Sequence, residues 1–140
     1  MLLLLDTHVW VWNVEGDVRR LGRRSRQLLA RAESQQLLRL SPATIFEIAA
    51  LHTAGRLRLA RPIEQWIDQA LEVTSAHVAA LSPAIAVDAG QIPATSLADP
   101  LDRLLVATAR QLDATFLTRD ARILDYASNT RHVRVYDASR

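Results

Sequence analysis

Five short, largely continuous apolar runs, at residues 2–5, 37–40, 77–81, 115–118 and 133–136, are spread along the chain and separated by stretches of helical character. A strand with one wet face alternates apolar and polar residues, whereas LLLL at 2–5 and TFL at 115–117 leave no side for water. Such strands must be covered on both faces, and helical crossovers between parallel strands supply that cover. The pattern therefore predicts an α/β fold, three layers deep, around a mainly parallel central sheet.

The intervening segments carry helix signals. An apolar helix is expected over residues 8–14 and a second over 25–34. Ser41 and Pro42 supply an N-cap and a first helical residue, and Gly55 a stop. Pro62 opens a helix whose buried face is Ile63, Trp66, Ile67 and Ala70, Pro83 opens another, and Asp99 with Pro100 caps one that runs through Leu112. A last helix is expected around 123–127. Residues 91–100, with two prolines, form the longest loop-like stretch. No internal repeat is visible, and 140 residues suit one domain, 1–140, able to bury a core of its own.

Composition removes several function classes. Without cysteine there are no disulfides, thiolate nucleophiles or zinc ribbons. MLLLL is too short for a secretory apolar region and no run reaches membrane-spanning length, so a soluble, cytoplasmic protein is expected. All 17 basic residues are Arg, and the net charge of +2 is too small to make the whole surface a nucleic-acid binder. Arg19, Arg20, Arg23, Arg24 and Arg26 do cluster, either as a solvated helix face or as a phosphate or partner contact.

Four acids stand where such a sheet builds its sites. Asp6 follows the first strand, Glu47 lies in SPATIFEIAAL, Asp102 in ADPLDRLLVATA and Asp120 just after TFLT. Open parallel sheets bind ligands beyond the carboxyl ends of their strands. Taken singly, Asp6 and Asp120 suit helix caps, and Asp102 suits the positive end of a helix dipole. Asp99, before a proline, is read as a cap and left outside the site. Glu47 resists this treatment, because a capping-box acid would fall at Thr44 and its helical neighbours Ala43, Thr44, Ala50 and Leu51 include no base. A single divalent-cation site accounts for all four acids.

These residues carry a resemblance. MLLLLDTHVWVW, SPATIFEIAALHTAGRLRL, DPLDRLLVATA and TFLTRD resemble, in order, the four motifs of PIN-domain ribonucleases, in particular the VapC-type toxins of bacterial toxin–antitoxin pairs. The resemblance spans nearly the whole chain and implies a PIN-like α/β/α fold. By it, Asp6, Glu47, Asp102 and Asp120 match the family's catalytic and metal-binding quartet, with Thr118 supporting. It further implies Mg²⁺ or Mn²⁺ as cofactor, RNA as substrate, an antitoxin as partner and a homodimer. Leu97 and Leu101 stand where the family often has His and Phe, and Thr108 where Gln is frequent; none of these departures replaces an acid.

Other residues are read structurally. His8, in an apolar helix, is assigned a hydrogen-bonding role in the fold, and Trp10, Trp12 and Trp66 a place in the core or an interface. The stripe Trp66, Ile67, Ala70 and Leu71 is expected to support dimerisation. Two alternatives are weighed. An Asp phosphoacceptor domain relies on a Lys, and the chain has none. A non-catalytic interaction module would use the acids to bind an arginine-bearing partner.

Overall fold

The computed structural model describes residues 1–140. Five parallel strands, β1 (Leu3–Leu5), β2 (Leu38–Leu40), β3 (His77–Val78), β4 (Thr115–Thr118) and β5 (Val135–Asp137), form one sheet in the order β3-β2-β1-β4-β5. Seven helices join them: α1 (Thr7–Glu15), α2 (Arg23–Ser34), α3 (Pro42–Thr53), α4 (Ile63–Thr74), α5 (Pro83–Gln91), α6 (Pro100–Gln111) and α7 (Ala121–Thr130). The sheet is parallel throughout, which sharpens the expected "mainly parallel". β1 lies at its centre, with Leu3 paired to both Leu38 and Thr115.

Burial on both faces follows from the strand period of two. Leu3 and Leu5 point into a cluster with Leu38, Leu40 and Leu117, closed by Val9 and Trp10 of α1, Leu29 of α2 and Trp66 and Ile67 of α4. Leu4 and Phe116 point the other way, against Leu105, Val106 and Ala109 of α6 and Ile123 and Tyr126 of α7. The layers are thus α/β/α. α3 supplies Ile48 to the first cluster and Ala43 to the second, so it bridges one end of the sheet.

Local differences from expectation have physical causes. The third strand shortens from 77–81 to two exposed residues, because it is a sheet edge with only β2 as neighbour. α1 starts at Thr7 beside its Asp6 cap and ends at Gly16, whose φ of 70° gives the left-handed turn that glycine adopts without strain. The stripe Trp66, Ile67, Ala70 packs into the chain's own core, with Leu71 partly buried against it. It is therefore not a free surface for dimerisation. Arg19 and Arg20 precede α2 rather than lying on it, while Arg23, Arg24 and Arg26 are exposed near its N-terminus. There they oppose the helix dipole, so helix stability does not explain them. No helix is long and apolar enough to cross a membrane.

Candidate active site at the carboxyl end of the sheet

Strand order reverses direction at β1, with the chain moving outward to β2 and β3 and then returning to β4 and β5 on the other side. A crevice opens beyond the strand ends at such a switch point. Here it is a cleft of about 510 Å³ lined by Asp6, Glu47, Asp99, Asp102 and Asp120 together with His8, Val9, Trp12, Arg20, Arg119 and Arg122. All four acids singled out in the sequence line it.

Asp6 ends β1 and caps α1. Its Oδ1 accepts the Thr7 N–H at 2.8 Å, and its Oδ2 accepts the Thr118 hydroxyl at 2.6 Å. Desolvation raises its pKa, reinforced by repulsion from Glu47 and Asp120 and opposed by the Thr118 and Thr7 hydrogen bonds. Thr118, fully buried at the end of β4, accepts the Asp120 N–H at 3.0 Å as well, so one hydroxyl ties the two strand ends together.

Asp102 lies in the first turn of α6, capped by Asp99, whose Oδ1 accepts the Leu101 N–H at 2.9 Å. Asp102 is only 8% exposed, yet no cation pairs with it. Burial, then repulsion from Asp99, Asp6 and Asp120, pushes its pKa up to about 7, against a weaker pull from Arg122. A buried carboxylate needs a counter-charge or a proton. Glu47, half-buried on α3, is likewise outside every ion pair, while its neighbour Phe46 is 63% exposed.

Asp120 is the contrasting case. It caps α7 through the Arg122 N–H at 2.9 Å and pairs with the Arg122 guanidinium at 3.0 Å. Desolvation pushes its carboxyl up, but the bonds and charge of Arg122 and the Ile123 N–H outweigh this and hold it below the usual range.

No three His, Asp or Glu side chains close on a common point; the acids line the cleft wall without forming a finished ligand cage. The donor set nonetheless fits a hard divalent cation. It is anionic, offers only carboxylate oxygens, and three of its members, Asp6, Glu47 and Asp102, have no cation of their own. Asp6, Glu47, Asp102 and Asp120 are the residues available to hold one.

Three expectations need correction. His8 is exposed on the cleft and stacks obliquely on Trp12, with ring centroids 5.8 Å apart, rather than making a hydrogen bond within the fold. Trp10 and Trp66 are core residues in edge contact, but Trp12 lines the cleft beneath the guanidiniums of Arg20 and Arg119, 5.6 and 5.9 Å from its ring. Asp99 is the cap it was taken for and also a wall of the cleft. The sequence signals for the missed residues are short-range: His8 and Trp12 share a helix face at i, i+4, Asp99 precedes Asp102 by one turn, and Arg119 and Arg122 flank Asp120. The buried hydroxyls of Thr7 and Thr44 have no partner, and nothing in the structure explains them.

Comparison with known proteins agrees with this fold. The sequence matches the PIN domain family over residues 3–129. It is 30% identical over 132 residues to Ribonuclease VapC22 of Mycobacterium tuberculosis, covering 94% of each chain. Solved structures of similar fold include VapBC2 from Rickettsia felis bound to a DNA fragment from their promoter, with a TM-score of 0.69, 14% identity and 98% of each chain covered. Another is VapBC-1 from nontypeable Haemophilus influenzae, with a TM-score of 0.65, 18% identity and full coverage of both chains. The chain belongs to the PIN-domain family.

Proposed function

We propose that this PIN-domain chain is a metal-dependent endoribonuclease acting as the toxin of a toxin–antitoxin pair, with Asp6, Glu47, Asp102 and Asp120 holding Mg²⁺ or Mn²⁺. The observation that carries the reading is Asp102, buried without a counter-cation among four other carboxylates. That arrangement costs stability by itself and becomes favourable with a cation. The similarity to Ribonuclease VapC22 supports the reaction class.

A bound Mg²⁺ or Mn²⁺ supplies Lewis acidity, lowering the pKa of water and offsetting charge on phosphate oxygens. The chain's own residues do the rest. Glu47 and Asp102 present carboxylates not engaged by any cationic side chain. Thr118 fixes the rotation of Asp6 through its 2.6 Å bond, so that carboxylate is presented in one orientation. Arg20, Arg119 and Arg122 stand beside the acids and offer donors to the phosphates on either side of the scissile bond.

The reading includes a cytoplasmic location, a small antitoxin that covers the cleft, and a homodimer. The dimer rests on the family resemblance, since the stripe on α4 is internal. Cleavage of RNA by the purified chain with Mg²⁺ or Mn²⁺, with EDTA, and by the Asp6→Asn and Asp102→Asn variants is the test. Cleavage indifferent to EDTA, or an active Asp6→Asn variant with intact fold, would sink the metal-nuclease reading. Binding of a protein partner with no cleavage under any metal would favour the non-catalytic alternative. Light scattering at micromolar concentration tests the dimer, and a monomer counts against it.

A further inference from the structure

α1 divides its aromatic residues between two environments. Trp10 is fully buried and meets Trp66 edge-on, whereas His8 and Trp12, four residues apart on the opposite side of the helix, face the cleft. Trp12 is only half-buried: it packs in part against the first core cluster, and two guanidiniums lie over its ring. Both contacts lie near the outer limit of cation–π attraction, so they hold the arginines loosely over the ring. The arginines are nonetheless organised: Arg20 Nε pairs with Asp17 at 3.2 Å, and Arg119 Nη1 donates to the Arg20 carbonyl at 3.0 Å.

A flat, partly wet indole flanked by guanidiniums is the combination that grips single-stranded nucleic acid, with the ring taking a base face and the cations taking phosphates. Its position in the cleft suits that use. Trp12 lies six residues beyond Asp6, the cap of its helix, about 9 Å along the axis, so a base held on it belongs to a nucleotide neighbouring the one at the acids. An apolar peptide side chain would also cover the indole, but it would leave Arg119, which is in no ion pair, without an anion. A polyanion satisfies both features at once.

We propose that Trp12, with Arg20 and Arg119, forms a stacking platform for one unpaired base of the RNA, making it a binding and specificity element of the site. This deepens the nuclease reading and rests on it for the identity of the substrate. A platform of this kind favours unpaired RNA over duplex, because only an unstacked base presents a free face.

The test compares Trp12→Phe, which keeps a π face, with Trp12→Leu, which keeps apolar character but no ring. Circular dichroism and melting curves establish that each folds. Trp12→Leu is expected to raise KM for an unpaired RNA roughly tenfold with kcat changed less than about twofold, and Trp12→Phe to recover most of the loss. The Kd of labelled unpaired RNA, measured in an Asp102→Asn background to suppress cleavage, should weaken in parallel, while the Kd of a duplex should not. An unchanged KM and Kd in a folded Trp12→Leu variant overturns the platform, as does a loss confined to binding of a protein partner. Failure of the wild-type chain to cleave, together with Trp12-dependent RNA binding, would overturn the nuclease reading and leave the platform standing.

Discussion

Replacing Asp102 by Asn should stabilise the protein in the absence of metal, and only above acid pH. The folded-state pKa of Asp102 is about 7 against 3.8 for an ordinary Asp. The folded chain therefore binds this proton more tightly than the unfolded chain, and stability falls as pH rises through the window from about 4 to about 7. A shift of roughly 3 units is worth at most about 4 kcal/mol, and the opening of the cleft to solvent reduces this to about 2 kcal/mol. Asn removes that penalty but also the favourable charge in the first turn of α6, worth about 0.3–1 kcal/mol, leaving a net gain of about 1–2 kcal/mol.

For a chain of this length, with an unfolding entropy of about 2.1 cal/mol/K per residue, the gain becomes a rise in Tm of about 3–7 °C. Thermal melts in EDTA across the window measure it, and the difference between the two proteins isolates Asp102 from other titrating groups. The gap should be smallest at the acid end and widest near pH 7 and above. Added Mg²⁺ should raise the Tm of the wild type and close or reverse the gap, because ligand binding stabilises only the protein that binds it. A variant that melts below the wild type in EDTA at neutral pH, or a gap independent of pH, would refute the argument that Asp102 is held at a cost.

Asp99→Asn keeps the cap of α6, since Asn caps as well as Asp, but removes the largest charge repulsion on Asp102; the pH-dependent loss of metal-free Tm contributed by Asp102 should be smaller and end at a lower pH, read from the same melts. Thr118→Val leaves the Asp120 N–H and Asp6 Oδ2 without their shared hydroxyl, which should cost about 1–3 kcal/mol and depress cleavage, while Thr118→Ser should restore both. Gly22→Ala places a methyl against the Arg140 backbone, so the loop before α2 must shift; denaturant unfolding should show a loss of about 1–3 kcal/mol, and a neutral result would show that the chain end yields freely.

The fold was legible because its strands are buried on both sides. LLLL and TFLT admit few readings, and each is followed by an Asp that caps the next helix, so residue type and position agree. Where only one neighbour holds a strand, the signal weakened: β3 kept two of the five residues expected, the chain leaving the ladder once the Ala79 N–H has bonded the Leu40 carbonyl. The inward packing of Trp66, Ile67 and Ala70 illustrates another limit. A helical apolar stripe states that something covers it, and only the tertiary arrangement identifies the cover as the chain's own α1 and sheet.

At the site, the division between cap and ligand turned out to be a false choice. At the carboxyl end of a parallel strand, the next helix begins with unpaired N–H groups facing the crevice, so an Asp that caps it also stands at the crevice wall. What distinguishes the acids is how many of their oxygens are already engaged. Both oxygens of Asp6 accept hydrogen bonds, and both of Asp120 meet Arg122. Glu47 and Asp102 have no such cationic or capping partner. Glu47 was the one acid that helix rules could not explain, and it proves to be among the least committed. Asp102 hid behind the helix dipole, an effect of under about 1 kcal/mol, smaller than the cost of burying its charge. Trp12 hid for a related reason: α1 is apolar on nearly every face, so its composition carries no mark of the face that opens onto the cleft.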